Sequence, residues 1–337
     1  MIKTLIVDDS ALARTVIKDF LESDPAFQII GEAENGLDGV RRARLLAPDL
    51  ITMDIEMPVM NGFDAIVEIK KTMSTTIVVI SSHDTAKMAY EATVKGAFEF
   101  YAKHILTSNI NAEKRAQIFD TLKQITGIKS RTAAHNEAVN APVIPPRQIN
   151  GVVIASSTGG PKALIQLCAS IPKDFPAPVV LVQHNTSGFD KSFAQWLNDH
   201  TRLEVCLAEK RMVPAKGKIY VAPTDKHLML GRSGFLLDDG EPICNQKPSA
   251  DALFKSAASI WGKAVISVVL TGMGSDGADG TRYIKRAGGI TIAQDEATSL
   301  IYGMPRAAAE TGCVDIVLPL DAIAAQLVYL SKGSGNN

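Results

Sequence analysis

The chain has 337 residues, 46% of them hydrophobic and 21% charged, with a formal net charge of −1. At roughly 150 residues per domain this length suggests two domains, each able to bury an ordinary core. The balanced charge excludes a broad basic nucleic-acid face, and no apolar run approaches the roughly 20 residues of a membrane span. No secretory signal is read at the N-terminus, because Asp8 and Asp9 follow the first apolar run at once. Cys168, Cys206, Cys244 and Cys313 are far apart and form no C-x-x-C pair. Neither a zinc site nor a disulfide framework is indicated, and a cytoplasmic, reducing location is the expectation.

In chain order, the spacing predicts strands at 4–7, 28–32, 50–53, 77–80 and 99–101. Helices are predicted at 11–21, 37–46, 63–71, 86–95 and 112–125. Short buried-type strands alternating with helices imply a parallel sheet covered on both faces. From 128 to 149 the periodicity stops, and Pro142, Pro145 and Pro146 follow a polar run, so this stretch is expected to be a linker.

A second β/α series fills 150–331. Strands are predicted at 152–155, 178–182, 265–270, 290–293 and 315–318, with helices at 161–171, 189–199, 249–261, 276–287 and 322–330. Residues 218–221, 227–230 and 235–238 look like a small strand-rich, antiparallel insert, and 332–337 a disordered tail. The expected fold class is therefore α/β, with two doubly wound parallel-sheet domains.

Asp8, Asp9 and Asp54 fall just after predicted parallel strands, where doubly wound sheets form their ligand crevice. Three gathered carboxylates repel one another unless a hard cation joins them, and Mg²⁺ is the natural choice. Ser81 and Lys103 follow the fourth and fifth strands, a hydroxyl and an ammonium suited to hold phosphoryl oxygens on an aspartate. The bland alternative is that these acids cap helices.

Val-Asp8-Asp9-Ser, Met-Asp54-Ile-Glu-Met-Pro58-Val-Met-Asn-Gly62 and Ser81 resemble the receiver domain of two-component response regulators, over about residues 1–126. The resemblance implies a flavodoxin-like fold, Asp54 as phosphoacceptor, Ser81 and Lys103 as switch residues, and Tyr101 or its neighbours repacking with them. It also implies Mg²⁺ on Asp9 and Asp54, with Asp8 through water and Glu56 through its carbonyl. A histidine kinase would be the phosphodonor. One departure is His104, where the family has a proline that is commonly cis; a rearranged loop and a less secure Lys103 are therefore expected.

In the second series, a strand runs into Ser156-Ser157-Thr158-Gly159-Gly160-Pro161 and a helix. Pro161 suits a first helical turn, and the free N–H groups there make an anion site. On these residues alone a phosphate-binding loop, an exposed nucleophile beside oxyanion donors and a plain turn all compete, although no G-x-G-x-x-G or G-K-[ST] pattern is present. His184 and Asp276 fall after two further strands, so serine, histidine and aspartate would face one crevice. The order Ser–His–Asp and the lack of a G-x-S-x-G elbow exclude the α/β-hydrolase pattern. Asp251, Asp279 and Asp295 are rivals to Asp276. His83, His104, His135 and His200 are expected to be structural or surface residues, and His227 a turn or cleft-rim residue.

Ala-Ser-Ser157-Thr-Gly-Gly-Pro, Val-Gln-His184, Ile-Tyr-Val-Ala-Pro and Leu-Thr-Gly-Met-Gly-Ser-Asp276-Gly-Ala resemble the catalytic domain of the CheB family, the chemotaxis protein-glutamate methylesterases, over about 151–330. The resemblance implies a Rossmann-like esterase with Ser157 as nucleophile, His184 as base and Asp276 as its partner. Backbone N–H groups near Thr158 and Met273 would hold the oxyanion, with no cofactor for the chemistry. Methyl-accepting chemotaxis receptors would be the substrate of a monomeric enzyme, and phosphorylation would relieve a receiver that covers the cleft. Deamidation of receptor glutamines stays open. Ala155, Ser156 and Asn185 depart from the family pattern, and they support the competing expectation of a receiver-linked binding module.

Overall fold

The computed structural model describes residues 1–81, 86–106, 110, 112–127, 144–185 and 188–333. The chain divides into two compact units, Met1–Thr132 and Ala133–Asn337.

The first unit runs β1 (Ile2–Val7), α1 (Ala11–Glu22), β2 (Phe27–Ala33), α2 (Gly36–Leu46), β3 (Leu50–Met53), α3 (Gly62–Lys70), β4 (Thr76–Ser81), α4 (Ala86–Lys95), β5 (Glu99–Ala102) and α5 (Ala112–Gly127). Its five strands lie in the order β2-β1-β3-β4-β5, all parallel. The central strands are largely apolar because helices cover both faces; Leu5, Ile51, Met53 and Val79 are essentially inaccessible. Side-chain caps set the helix starts. Ser10 accepts from the Ala13 N–H, Asn35 from Asp38 and Asn61 from Asp64. The β1–β3–β4 register pairs Val7 with Met53 and Met53 with Val79, so Asp8 and Asp54 emerge side by side at one sheet edge.

The second unit runs β6 (Gly151–Ser156), α6 (Gly160–Ser170), β7 (Val179–Gln183), α7 (Asp190–His200), β8 (Glu204–Leu207), β9 (Lys218–Val221), β10 (His227–Gly231) and β11 (Gly234–Asp238). It continues with α8 (Ala250–Trp261), β12 (Val265–Val269), α9 (Ala278–Arg286), β13 (Ile290–Gln294), α10 (Met304–Glu310), β14 (Ile316–Leu318) and α11 (Leu320–Ser331). Seven strands form a parallel sheet, β14-β13-β12-β6-β7-β9-β8. Only β10 and β11 form the antiparallel hairpin. Residues 218–221, expected in that insert, instead join the main sheet as β9, and β8 was not predicted at all. The pairing of β9 with β7 buries Ile219, Tyr220 and Val221, a partner choice that a four-residue run cannot announce.

Of the stretch expected as a linker, 128–143 lies outside the described residues. Its end lies against the second unit: the Arg147 N–H donates to the Leu330 carbonyl, and Ile149 is buried. Of the expected tail, 334–337 lies outside the described residues. No helix among the described residues is long and apolar enough to cross a membrane.

Candidate active site and phosphoacceptor pocket

In the first unit, Asp8 and Asp54 are buried at the strand ends while Asp9 is exposed beside them. One carboxylate oxygen from each of the three lies within 4.8 Å of the others. Lys103, just past β5, reaches in with its Nζ 2.7 Å from Asp54 Oδ2 and 2.6 Å from Asp8 Oδ2. The other Asp54 oxygen accepts from the Ile55 N–H at 2.7 Å, and Asp8 Oδ1 from the Ser10 N–H at 2.9 Å. Asp8 Oδ2 has the ion pair but receives no directed hydrogen bond.

Burial pushes the Asp8 carboxyl above its ordinary range, and the Asp54 charge adds to this; Lys103 offsets it only in part. Burial acts to lower the Lys103 ammonium, but Asp54 and Asp8 hold it above its ordinary value. An all-oxygen set with one disfavoured buried carboxylate fits a divalent cation. Ser81 is buried at the end of β4, and Glu56 is exposed. His104 sits in the 3-10 turn Lys103–Leu106, and the only cis bond among the described residues is Lys247–Pro248. The substitution for proline therefore leaves a trans bond, and Lys103 still reaches both acids. Gly62 is demanded by space: a Cβ there would lie 2.0 Å from the Asp54 carbonyl oxygen.

In the second unit, β6 and β7 pair Ser156 with Gln183, which puts Ser157 and His184 next to each other in register as the strands end. The His184 N–H donates to the Ser156 carbonyl at 3.0 Å. Ser156 is fully buried and Ser157 only partly, so the second serine is the accessible one. Ser157 lies three residues before α6, whose start carries Pro161.

His184 Nε2 lies 2.8 Å from Asp276 Oδ2, and the Nδ1 atom is buried without a hydrogen-bond partner. Pairing with a carboxylate puts the proton on Nε2 and leaves the Nδ1 lone pair open. Asp276, 2% exposed, also caps α8: Ser249 Oγ donates at 2.7 Å, the Ala250 N–H at 2.7 Å and the Asp251 N–H at 3.0 Å. Burial would raise this carboxyl, but His184, Ser249 and the helix N–H groups together hold it below its ordinary value.

The rival acids fall elsewhere. Asp251 caps α9 in return, accepting from the Gly277 and Gly280 N–H groups at 3.0 and 2.6 Å. Asp279 pairs with Lys255 at 2.6 Å, and Asp295 accepts from the Thr298 N–H and hydroxyl. Cys244, Asp251 and Asp276 also bring donor atoms together, but the helix caps already account for both carboxylates.

His227 is not at a turn or rim. It is 2% exposed, accepts from the Ser249 N–H at Nδ1 and donates from Nε2 to the Glu241 carbonyl. His200 Nδ1 bonds the Trp196 carbonyl at the end of α7; His83 and His135 lie outside the described residues.

A family model for the response regulator receiver domain matches residues 4–114, and one for CheB methylesterase matches 152–327. The chain belongs to the CheB methylesterase family. A protein-glutamate methylesterase/protein-glutamine glutaminase of Clostridium acetobutylicum is 41% identical over 343 residues, covering 98% of each chain. One of Pyrococcus horikoshii is 38% identical over 354 residues, covering 99% of this chain and 96% of the relative. The crystal structure of the Thermotoga maritima CheB methylesterase catalytic domain superposes with a TM-score of 0.53 at 41% identity, covering 54% of this chain and 99% of that one.

Several polar residues packed around this CheB-family site were not anticipated. Gln183 joins both strand ends. Thr271 Oγ1 donates to the Thr158 carbonyl at 3.0 Å and accepts from the Ile301 N–H at 2.9 Å, while the Gln294 side chain accepts from the Thr271 N–H at 2.8 Å. The only local signal was a polar residue closing an apolar strand, in Val-Val-Leu-Val-Gln183 and Ile-Thr-Ile-Ala-Gln294.

Proposed function

We propose that this chain is a phosphorylation-activated protein-glutamate methylesterase acting on methyl-accepting chemotaxis receptors. It would work as a cytoplasmic monomer with residues 1–127 as receiver, 128–149 as linker and 150–331 as esterase. The observation that carries this is the His184–Asp276 pair beside Ser157, with Nε2 committed to the carboxylate and Nδ1 open.

Ser157 Oγ attacks the γ-carbonyl of a glutamyl methyl ester and gives its proton to His184 Nδ1. Asp276 stabilises the resulting imidazolium without itself becoming protonated. The backbone N–H groups of Thr158 and Met273 hold the oxyanion, each such donor being worth about 10²–10³-fold in rate. Collapse expels methanol, which takes the proton from Nδ1. Water, deprotonated by the same nitrogen, then cleaves the acyl-enzyme and leaves a glutamate carboxylate. An amide in place of the ester would release ammonia by the same steps, the activity that would give this chain a glutaminase function.

In the receiver, Asp54 accepts the phosphoryl group from a histidine kinase, and Lys103 and Ser81 hold its oxygens. Asp8, Asp9 and Asp54, with the Glu56 carbonyl, would hold Mg²⁺. When bound, that ion offsets the negative charge that gathers there. The added charge, roughly −1.5 to −2, redirects Lys103 and relieves restraint on the esterase.

The test is methanol release from a methylated chemoreceptor with and without acetyl phosphate and Mg²⁺. Release that requires Ser157, and that rises with phosphodonor only when Asp54 is present, is the expected result. No release under any condition would favour the binding-module alternative.

A further inference from the structure

We infer that Gln183 is a positioning residue that aims the oxyanion donor, acting through the peptide plane between Ser157 and Thr158. The inference rests on the esterase function proposed above.

The Gln183 side chain is 3% exposed at the end of β7, and it uses both ends of its amide. Nε2 donates to the Ser157 carbonyl at 3.0 Å and to the His184 carbonyl at 3.0 Å. Oε1 accepts from Ser156 Oγ at 2.8 Å. The amide orientation is dictated by its partners: two carbonyls can only accept, so the NH₂ must face them, and the hydroxyl must donate to the oxygen. One side chain thus grips the backbone immediately after the nucleophile and immediately after the base.

The consequence follows from peptide geometry. In a trans, planar peptide the C=O and the following N–H point in opposite directions. The Ser157 carbonyl is pulled inward by Gln183 and by the Gly160 N–H at 2.7 Å. The Thr158 N–H therefore points away from Gln183, and among the described residues it has no acceptor. A donor held in that direction by a buried amide costs no reorganisation when the oxyanion forms, which is the condition for large electrostatic stabilisation.

Space around the amide supports the same role. A Cβ on Gly160 would lie 2.0 Å from Gln183 Oε1 and 2.9 Å from Ser156 Cβ. Gly160 has no left-handed backbone to explain it, so its missing side chain makes room for this amide. Ser156, where the CheB-family pattern has alanine, adds a hydroxyl that donates to Oε1.

The experiment compares Gln183→Glu, Gln183→Leu and Gly160→Ala in the full chain, with Ser157→Ala as reference. Gln183→Glu keeps the shape but cannot donate to the two carbonyls; Gln183→Leu removes every polar contact; Gly160→Ala displaces the amide without touching it chemically. Thermal unfolding checks the fold of each, and the other two carry the test if one fails to fold. Each variant is expected to lower kcat for methanol release about 10²-fold with KM changed less than about threefold. A γ-trifluoromethyl ketone analogue of the glutamyl side chain would form a hemiketal with Ser157. Its hydroxyl pKa, read by fluorine NMR, should rise by about one unit or more in the variants because the oxyanion loses its donor.

Wild-type kcat, or a reduced kcat with an unmoved hemiketal pKa, would overturn the inference while an inactive Ser157→Ala upheld the esterase. Methanol release that persists in Ser157→Ala would instead overturn the esterase function, and this inference with it.

Discussion

Asp8 and Asp276 are both buried aspartates in loops that follow parallel strands, and their carboxyls are displaced in opposite directions. The difference lies in the donors. Asp276 sits at the N-terminus of α8 and receives bonds from two backbone N–H groups, a serine hydroxyl and His184. Asp8 shares one lysine with a second carboxylate and leaves Oδ2 without a directed bond. Burial alone disfavours the ionised form of either; saturation with donors reverses that in one pocket and not in the other. The carboxylate that faces His184 thus has all its donors within the chain, whereas Asp8 and Asp54 share a single lysine.

The sharpest way to break this comparison is to remove Ser157, the proposed nucleophile. Ser157→Ala should lower kcat for methanol release by about 10³-fold or more, measured with and without phosphodonor. Asp276→Asn should cost on the order of 10²–10⁴-fold in kcat, because His184 loses the acceptor that holds its proton on Nε2. Asp54→Asn should remove the rise in esterase rate that acetyl phosphate produces, an effect visible in paired assays of the same preparation.

Stability separates the two acids with opposite signs. The folded Asp276 carboxyl lies below its ordinary value of 3.8. Its contribution is therefore present above that unfolded value and lost as pH falls through the lower folded one. Asp276→Asn should destabilise the second unit by about 3 kcal/mol at pH 7, a gap that narrows in denaturant titrations as the pH is taken below about 4. For Asp8 the folded value is raised, so its ionised form opposes folding at neutral pH. Asp8→Asn should raise the first unit's unfolding free energy in EDTA by up to about 1 kcal/mol, while weakening Mg²⁺ binding. A destabilised Asp8→Asn protein would show that Lys103 satisfies the pocket unaided.

The strand-end residues were legible because each follows an apolar run that can only be a buried strand. Val7, Met53, Ala155 and Val182 are the last apolar residues of their strands, and the crevice begins just beyond them. Membership of β9 in the main sheet was not legible, because a four-residue run, Lys-Ile-Tyr-Val, suits a hairpin as well as a strand of the main sheet. Gln183 and Gln294 showed themselves only as polar residues closing apolar strands, without their partners.

By itself the sequence determined the β/α alternation, the two domains and the residues that end each strand, because periodicity and breaker residues act over a few positions. Only the tertiary structure decided which aspartate meets His184. Asp276 caps the helix that contains Asp251, and Asp251 caps the helix that follows Asp276, across 25 residues of chain; both acids are buried. The choice rests on which carboxylate the packed helices leave facing the imidazole, and that is set by how β6, β7 and β12 lie beside one another in the sheet.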